Sequence, residues 1–182
     1  WCSYKYLNGG PGCVAGCFVH ERHSYAPDLP RFAGWWGHNK ESRFLMGPEF
    51  DVLPGAEGWQ LSNPPILPLA CLRASLDIFE QAGIDHLRQK SMLLTGYLEY
   101  LLKEIKYPGL RIITPDDPEQ RGCQLSISLG SSGKKVLSAL SGQGVVCDFR
   151  EPDVMRVAPV PLYNTFGDVY RFVQILKEGL RP

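Results

Sequence analysis

The sequence predicts an α/β protein in two parts, a portion of a larger domain over residues 1–83 and a small α+β domain over residues 84–182. Three observations carry this. Two amphipathic helical patterns lie back to back between residues 65 and 106, and short apolar strand runs alternate with short helices after them. Residues 24–62, in contrast, are rich in Gly, Pro and scattered aromatics and show no period. Helices followed by mixed strands and helices read as α+β, whereas a long irregular stretch reads as functional loops or hairpins.

Taken in order, residues 1–9 form an aromatic segment that ends in the turn Asn8-Gly9-Gly10-Pro11-Gly12. A short apolar strand follows to about Phe18. Alternation there places Cys13, Ala15, Cys17 and Val19 on one face and His20 on the other. That separation argues against a zinc site built from Cys13, Cys17, His20 and His23, although the ligand types are right. Pro64-Pro65 opens a helix, where a missing N–H has no intrahelical partner. It runs from about Pro65 to Ala82 with Ile66, Leu69, Ala70, Leu76 and Phe79 inward, and Gly83 stops it. A second helix runs from about Asp85 to Lys106, with Leu94, Tyr97, Leu98, Leu101 and Ile105 at helical spacing. Strands are expected over Leu110–Thr114, Cys123–Leu129, Val145–Phe149 and Val154–Val157, with a short helix over Lys134–Leu140. Thr165-Phe166-Gly167-Asp168 is a capping box that opens the last helix, to about Gly179.

Composition narrows the function. Nineteen basic and nineteen acidic residues cancel, so the chain lacks the electrostatic footprint of a nucleic-acid or anionic-membrane binder. No apolar run is long enough to span a bilayer, and the start carries no secretory pattern. The six cysteines lack the spacing of a stapled secreted domain, which points to a reducing compartment, the cytosol. The chain opens inside an aromatic cluster with no initiator Met, so a piece of a longer protein is expected.

A few residues could carry chemistry. Lys5 sits between Tyr4 and Tyr6. Lost hydration would suit it to a Schiff base with an aldehyde cofactor, while the alternative is a snorkelling lysine on a half-buried strand. Arg156 lies in an apolar strand and must be paired, either in a structural ion pair or as a fork for a substrate carboxylate. Trp35, Trp36 and His38, flanked by glycines, form either a core plug or a stacking and hydrogen-bonding platform. Asn63 is a turn residue or an amide facing an anion. His20, His23 and His86 read as structural or surface residues.

Together these segments resemble one family. Trp1-Cys2-Ser3-Tyr4-Lys5-Tyr6-Leu7-Asn8 is similar to the cofactor-lysine segment of kynureninases. The resemblance continues through Gly34-Trp35-Trp36-Gly37-His38, Ser62-Asn63-Pro64-Pro65-Ile66, the run Leu94 to Tyr100, Arg121-Gly122-Cys123-Gln124-Leu125 and the run Arg156 to Asn164. It covers essentially the whole chain, in order, and matches the C-terminal half of the family. It implies the C-terminal part of a fold-type-I, pyridoxal 5'-phosphate-dependent large domain followed by the small domain. It also implies a cytoplasmic homodimer that hydrolyses L-kynurenine or 3-hydroxy-L-kynurenine to the anthranilate and L-alanine. By resemblance, Lys5 holds the cofactor, and Tyr4 contacts its phosphate and transfers a proton. Trp35 and Asn63 complete the cofactor site from the partner subunit, His38 and Asn63 shape the aryl pocket, and Arg156 binds the substrate carboxylate. No metal is implied.

The chain also departs from the family pattern. Trp36 stands where Phe is expected, and the turn at Gly9-Gly10-Pro11 is poorer in alanine. The ring-stacking aromatic, the pyridinium-binding Asp and much of the phosphate site come from the family's N-terminal half. The chain alone is therefore expected to be inert and incompletely folded over its first 60 or so residues. Two other readings stay open: a class V aminotransferase or cysteine desulfurase of the same fold, and a truncated non-catalytic paralogue. Placement of Cys123 and Cys147 in strand patterns argues against a desulfurase, which needs a mobile cysteine in a late loop.

Overall fold

The computed structural model describes residues 1–26 and 28–181. The chain divides into two compact units, Trp1–Ile78 and Phe79–Pro182.

The second unit is built on a four-stranded antiparallel sheet in the order β1-β2-β4-β3. Its strands are β1 (Arg111–Ile112), β2 (Leu125–Ser128), β3 (Asp148–Arg150) and β4 (Val154–Val157). Ile127 lies opposite Met155, and Met155 opposite Phe149. These residues, with Leu125 and Val157, turn one face toward the helices α2 (Ile84–Lys103), α3 (Gly133–Gly142) and α4 (Phe166–Gly179). Period two then sends Ser126, Arg156 and Asp148, which are also opposite one another, to the other face. The core gathers Leu94, Leu98 and Leu102 of α2, Val136 and Leu140 of α3, and Val169, Phe172, Val173 and Leu176 of α4. The helical spacing of Leu94 and Leu98 thus reports true burial. The capping box is present: the Thr165 hydroxyl accepts from the Asp168 N–H, and the Asp168 carboxylate accepts from the Thr165 N–H.

A charged pair sits on the apolar stripe of α2. Glu99 follows Leu98 and precedes Leu102 by three residues, so its carboxylate is carried inward, where Arg121 meets it at 2.6 Å. Their side chains are 11% and 3% exposed. Lys103 donates to the other carboxylate oxygen at 2.5 Å. Burial alone would raise the Glu99 carboxyl, but the hydrogen bonds from Lys103 and Arg121 outweigh it and hold the group below its ordinary range. Arg121 also donates to the Pro115 carbonyl, and Arg88 donates to the carbonyls of Arg121 and Pro118. The loop between β1 and β2 is thereby fastened to α2.

The first unit is mostly irregular, with short 3-10 turns at Glu21–His23, Trp35–Gly37, Arg43–Leu45 and Gly55–Trp59. It leads into α1 (Ile66–Ala82), which crosses the division. Several expectations fail here. The inward set of α1 is not buried: Ser75 alone among its described residues is buried, and Ile66 is 80% exposed. The helical period marks a face to be covered but cannot say by what. The strand over Cys13–Phe18 does not form. It is reduced to one bridge between Cys2 and Ala15, because no strand of the described residues lies beside it. In the second unit the Val145–Phe149 strand starts three residues late, at Asp148, and leaves Val146 97% exposed. Gly83, with φ of 77°, ends α1 as expected, its N–H donating to the Phe79 carbonyl.

Candidate functional site

The segment bearing Lys5 is a tight loop held from beneath. The Trp1 backbone nitrogen donates to the Gly16 carbonyl at 2.8 Å, and the Gly16 N–H donates to the Trp1 carbonyl at 2.9 Å. The Ser3 hydroxyl donates to the Val14 carbonyl, and the Ser75 hydroxyl of α1 donates to the Leu7 carbonyl at 2.7 Å. The Asn8 N–H closes a turn on the Lys5 carbonyl, with Asn8 itself at φ of 53°. A Cβ on Gly9 would fall 2.5 Å from Cys13 Sγ and 3.1 Å from the Ser3 carbonyl oxygen, so a side chain there would push into the loop. With the backbone of residues 1–9 fixed, Tyr4 and Lys5 project outward. Lys5 is exposed rather than desolvated, contrary to the sequence expectation. Its flanking aromatics are themselves exposed, Tyr4 by 44% and Tyr6 by 48%, so they do not enclose it. The Lys5 Nζ lies over the Tyr4 ring, 5.3 Å from its centroid, and among the described residues no carboxylate pairs with it.

Glycines also place Trp35. A Cβ on Gly34 would fall 2.3 Å from the Leu61 Cα, and one on Gly37 would fall 2.8 Å from the Gly58 carbonyl oxygen. Lacking a Cβ, Gly34 and Gly37 let their backbone lie against residues 58–61, two residues before Asn63. Trp35 is left 45% exposed, edge-on to Phe44 at 5.3 Å. Trp36 lies under the Arg43 guanidinium at 4.9 Å, and Arg43 donates to the carbonyls of Trp36 and His38. Asn63 is exposed.

His38 belongs to a relay that the sequence did not reveal. Its Nε2 is 3.2 Å from the Ser42 hydroxyl, which donates to Asp51 Oδ2 at 2.8 Å. A hydroxyl has one proton, and here the carboxylate takes it. His38 must therefore donate through Nε2–H, which leaves Nδ1 as the acceptor in the neutral ring. The Phe50 ring stands edge-on at 5.6 Å. His20 and His23 are occupied locally: His20 Nδ1 accepts from the Arg22 N–H, and His23 Nε2 accepts from Arg22 Nε.

Arg156, on β4, is half-buried and forms an ion pair with Asp148, its cross-strand neighbour. Its Nε is buried with no hydrogen-bond partner. Tyr4, Lys5, Trp35, His38 and Asn63 thus all lie in the first unit, and Arg156 lies in the second. Among the described residues no hydrogen bond, ion pair or ring contact joins Lys5 to the Trp35 loop. Cys123 and Cys147 lie just before β2 and β3 rather than within strands. Burial raises both thiols, Cys147 to about 11. All six cysteines are free.

Comparison with known proteins gives this geometry a context. Residues 87–176 match the kynureninase C-terminal domain. The kynureninase of Koribacter versatilis (strain Ellin345) is 62% identical over 174 residues, 96% of this chain and 41% of that protein. The kynureninase of Myxococcus xanthus (strain DK1622) is 60% identical over 181 residues, 100% of this chain and 42% of that protein. The chain spans about two fifths of the length of the curated relatives it matches. Among solved structures, the cysteine desulfurase CsdA from Escherichia coli superposes with a TM-score of 0.65 at 18% identity, covering 83% of this chain and 38% of that one. The apo cysteine desulfurase from Thermococcus onnurineus NA1 gives 0.62 at 12% identity, covering 94% and 39%. At these identities the likeness is one of fold, and the α/β, fold-type-I expectation is met.

Proposed function

We propose that this chain, which belongs to the kynureninase family, supplies the C-terminal part of a homodimeric, pyridoxal 5'-phosphate-dependent enzyme. The reaction is hydrolysis of L-kynurenine or 3-hydroxy-L-kynurenine to anthranilate or 3-hydroxyanthranilate and L-alanine. The observation that carries the reading is Lys5, an exposed amine with no carboxylate partner among the described residues, held against the Tyr4 phenol on a braced loop. Schiff-base formation with an aldehyde cofactor needs an amine that no ion pair ties up. The cofactor's phosphate needs hydrogen-bond donors, of which the Tyr4 hydroxyl is one, and the Trp35 indole N–H and the Asn63 amide are donors that can complete the cofactor site across the dimer. The residues present fit the group.

When bound, pyridoxal phosphate supplies an electron sink for bond changes at the substrate's α- and β-carbons. The chain's own residues do the rest. The Lys5 amine takes and returns the proton at the α-carbon. The Tyr4 hydroxyl donates the proton that completes the methyl group of alanine. Arg156 orients the substrate by forking its α-carboxylate. His38 offers Nδ1 to a donor on the aryl ring and Asn63 offers its amide, while the bulk of Trp36 narrows the aryl pocket. Trp35 and Asn63 serve the partner subunit's cofactor.

We place the enzyme in the cytoplasm, a reading that the six free thiols support. Among the described residues no helix is long and apolar enough to cross a membrane. A thiol-based desulfuration is disfavoured, because a nucleophilic cysteine must ionise near neutrality and burial pushes Cys147 up to about 11. The test is release of anthranilate from L-kynurenine, or of 3-hydroxyanthranilate from 3-hydroxy-L-kynurenine, by the full-length, cofactor-loaded protein. Release that Lys5→Ala abolishes supports the reading, and a loaded protein that releases none overturns it.

A further inference from the structure

We propose that Asp148 is a positioning residue for the Arg156 clamp, holding the guanidinium by one terminal nitrogen and leaving the rest of its N–H fork for the substrate's α-carboxylate. The inference rests on Arg156 binding that carboxylate. Asp148 and Arg156 are directly opposed across β3 and β4, so their side chains leave the sheet on the same face, away from the core. The Arg156 ion pair joins a terminal nitrogen to Asp148 Oδ2.

A carboxylate that served Arg156 alone could grip it through two parallel bonds. Here one carboxylate serves two guanidiniums, because Arg150, two residues along β3, also meets Asp148 Oδ2 at 3.1 Å. The cluster carries two positive charges and one negative. Arg156 meanwhile keeps a buried Nε with no partner, a state that costs free energy until an acceptor arrives. The site is one anion short. A carboxylate matches the deficit in charge and in planar, two-oxygen shape. Arg150 has its own part in this, since by neutralising Asp148 it removes the repulsion an incoming carboxylate would meet.

The sign of the effect separates positioning from simple electrostatics. Removing Asp148 makes the neighbourhood of Arg156 more positive, and by Coulomb attraction alone the substrate carboxylate would bind more tightly. Positioning predicts the opposite, because a freed guanidinium loses its aim. In the full-length, cofactor-loaded enzyme, Asp148→Ala should raise KM about tenfold with kcat changed by less than about twofold. Asp148→Asn, whose amide oxygen can still accept from Arg156, should raise KM less and serves should the alanine variant fold poorly. The inhibition constant of the α-carboxamide analogue of the substrate should not move in either variant. An unchanged or lowered KM in both variants, or an equal weakening of the carboxamide, would overturn the assignment. Arg156→Lys separates this from the clamp itself. If Arg156→Lys leaves KM unchanged, the clamp reading falls and the proposal with it. If Arg156→Lys raises KM while both Asp148 variants do not, the positioning role alone falls.

Discussion

Replacing Glu99 by Gln tests whether the second unit is organised around a desolvated ion pair. The side chains of Glu99 and Arg121 are 11% and 3% exposed and meet at 2.6 Å. Arg121 Nε already lacks a partner, and its other partner is the Pro115 carbonyl. Removing the carboxylate charge leaves a guanidinium buried with a carbonyl and an amide to satisfy it. Breaking such a pair costs about 3–5 kcal/mol, or a fall in Tm of roughly 6–20 °C for a chain of this size. Lys103 is 56% exposed and can turn its ammonium to water, so it should add little to the loss.

The two units can be read separately in that experiment. All four tryptophans, Trp1, Trp35, Trp36 and Trp59, lie in the first unit. Urea unfolding followed at 222 nm should therefore shift in Glu99→Gln, while the tryptophan emission of the folded chain should not. The apolar double variant Glu99→Leu with Arg121→Met should recover most of the stability, since it removes both charges together. Acidity should act through the same pair. The Glu99 carboxyl is held below its ordinary range by its Lys103 and Arg121 hydrogen bonds. Its contribution is thus complete above the ordinary carboxylate range and is lost as pH falls through the depressed folded value. Glu99→Gln should lack that part of the acid sensitivity. A Glu99→Gln chain within about 1 kcal/mol of the parent would refute the desolvated-pair argument.

Three further outcomes follow from local geometry. Thr165→Ala removes both the hydroxyl that accepts from Asp168 N–H and a donor to the Asp168 carboxylate, and should cost about 1 kcal/mol in urea unfolding. A loss under a few tenths would show the cap to be idle. At pH 8, a Cys147 thiol raised to about 11 by burial has only about a thousandth of its population as thiolate. It should react with a disulfide reagent far more slowly than the exposed Cys71, and equal rates would contradict its burial. Gly34→Ala drives a Cβ into the Gln60–Leu61 backbone, so the Trp35 loop must lift. The full-length variant should retain less cofactor and show altered tryptophan emission, and wild-type retention would disconnect that loop from the cofactor.

How much was legible depended on where each residue's partner lies along the chain. Helix α4 could be read because its start is signalled within four residues, Thr165 to Asp168. Helix α2 could be read because Leu94, Leu98 and Leu101 declare one face by their own spacing. The apolar side of α1 was equally plain in the sequence, yet Ile66 is exposed at 80%. Periodicity names a face that should be covered and is silent about the cover. Strand β3 was misplaced because Val145 and Val146 are apolar, whereas pairing begins where Asp148 meets Arg156. Of the candidate site, Lys5, Trp35 and Asn63 could be singled out from local chemistry, each beside a structural alternative, and only the resemblance to a known family chose between the two. The residues missed, Asp148, Ser42 and Asp51, act through partners 8–9 residues away, Arg156 from Asp148 and Ser42 from Asp51. One signal was available for Glu99: an acid on the same helical stripe as Leu98 and Leu102 demands a buried cation.

The central claim is that Lys5 is the cofactor lysine. The direct measurement is borohydride reduction of the native full-length protein, followed by peptide mass mapping. The account predicts a phosphopyridoxyl group on the peptide that contains Tyr4-Lys5-Tyr6, in stoichiometric amount, and on no other lysine. An unmodified Lys5, or the label on a different lysine, would contradict it.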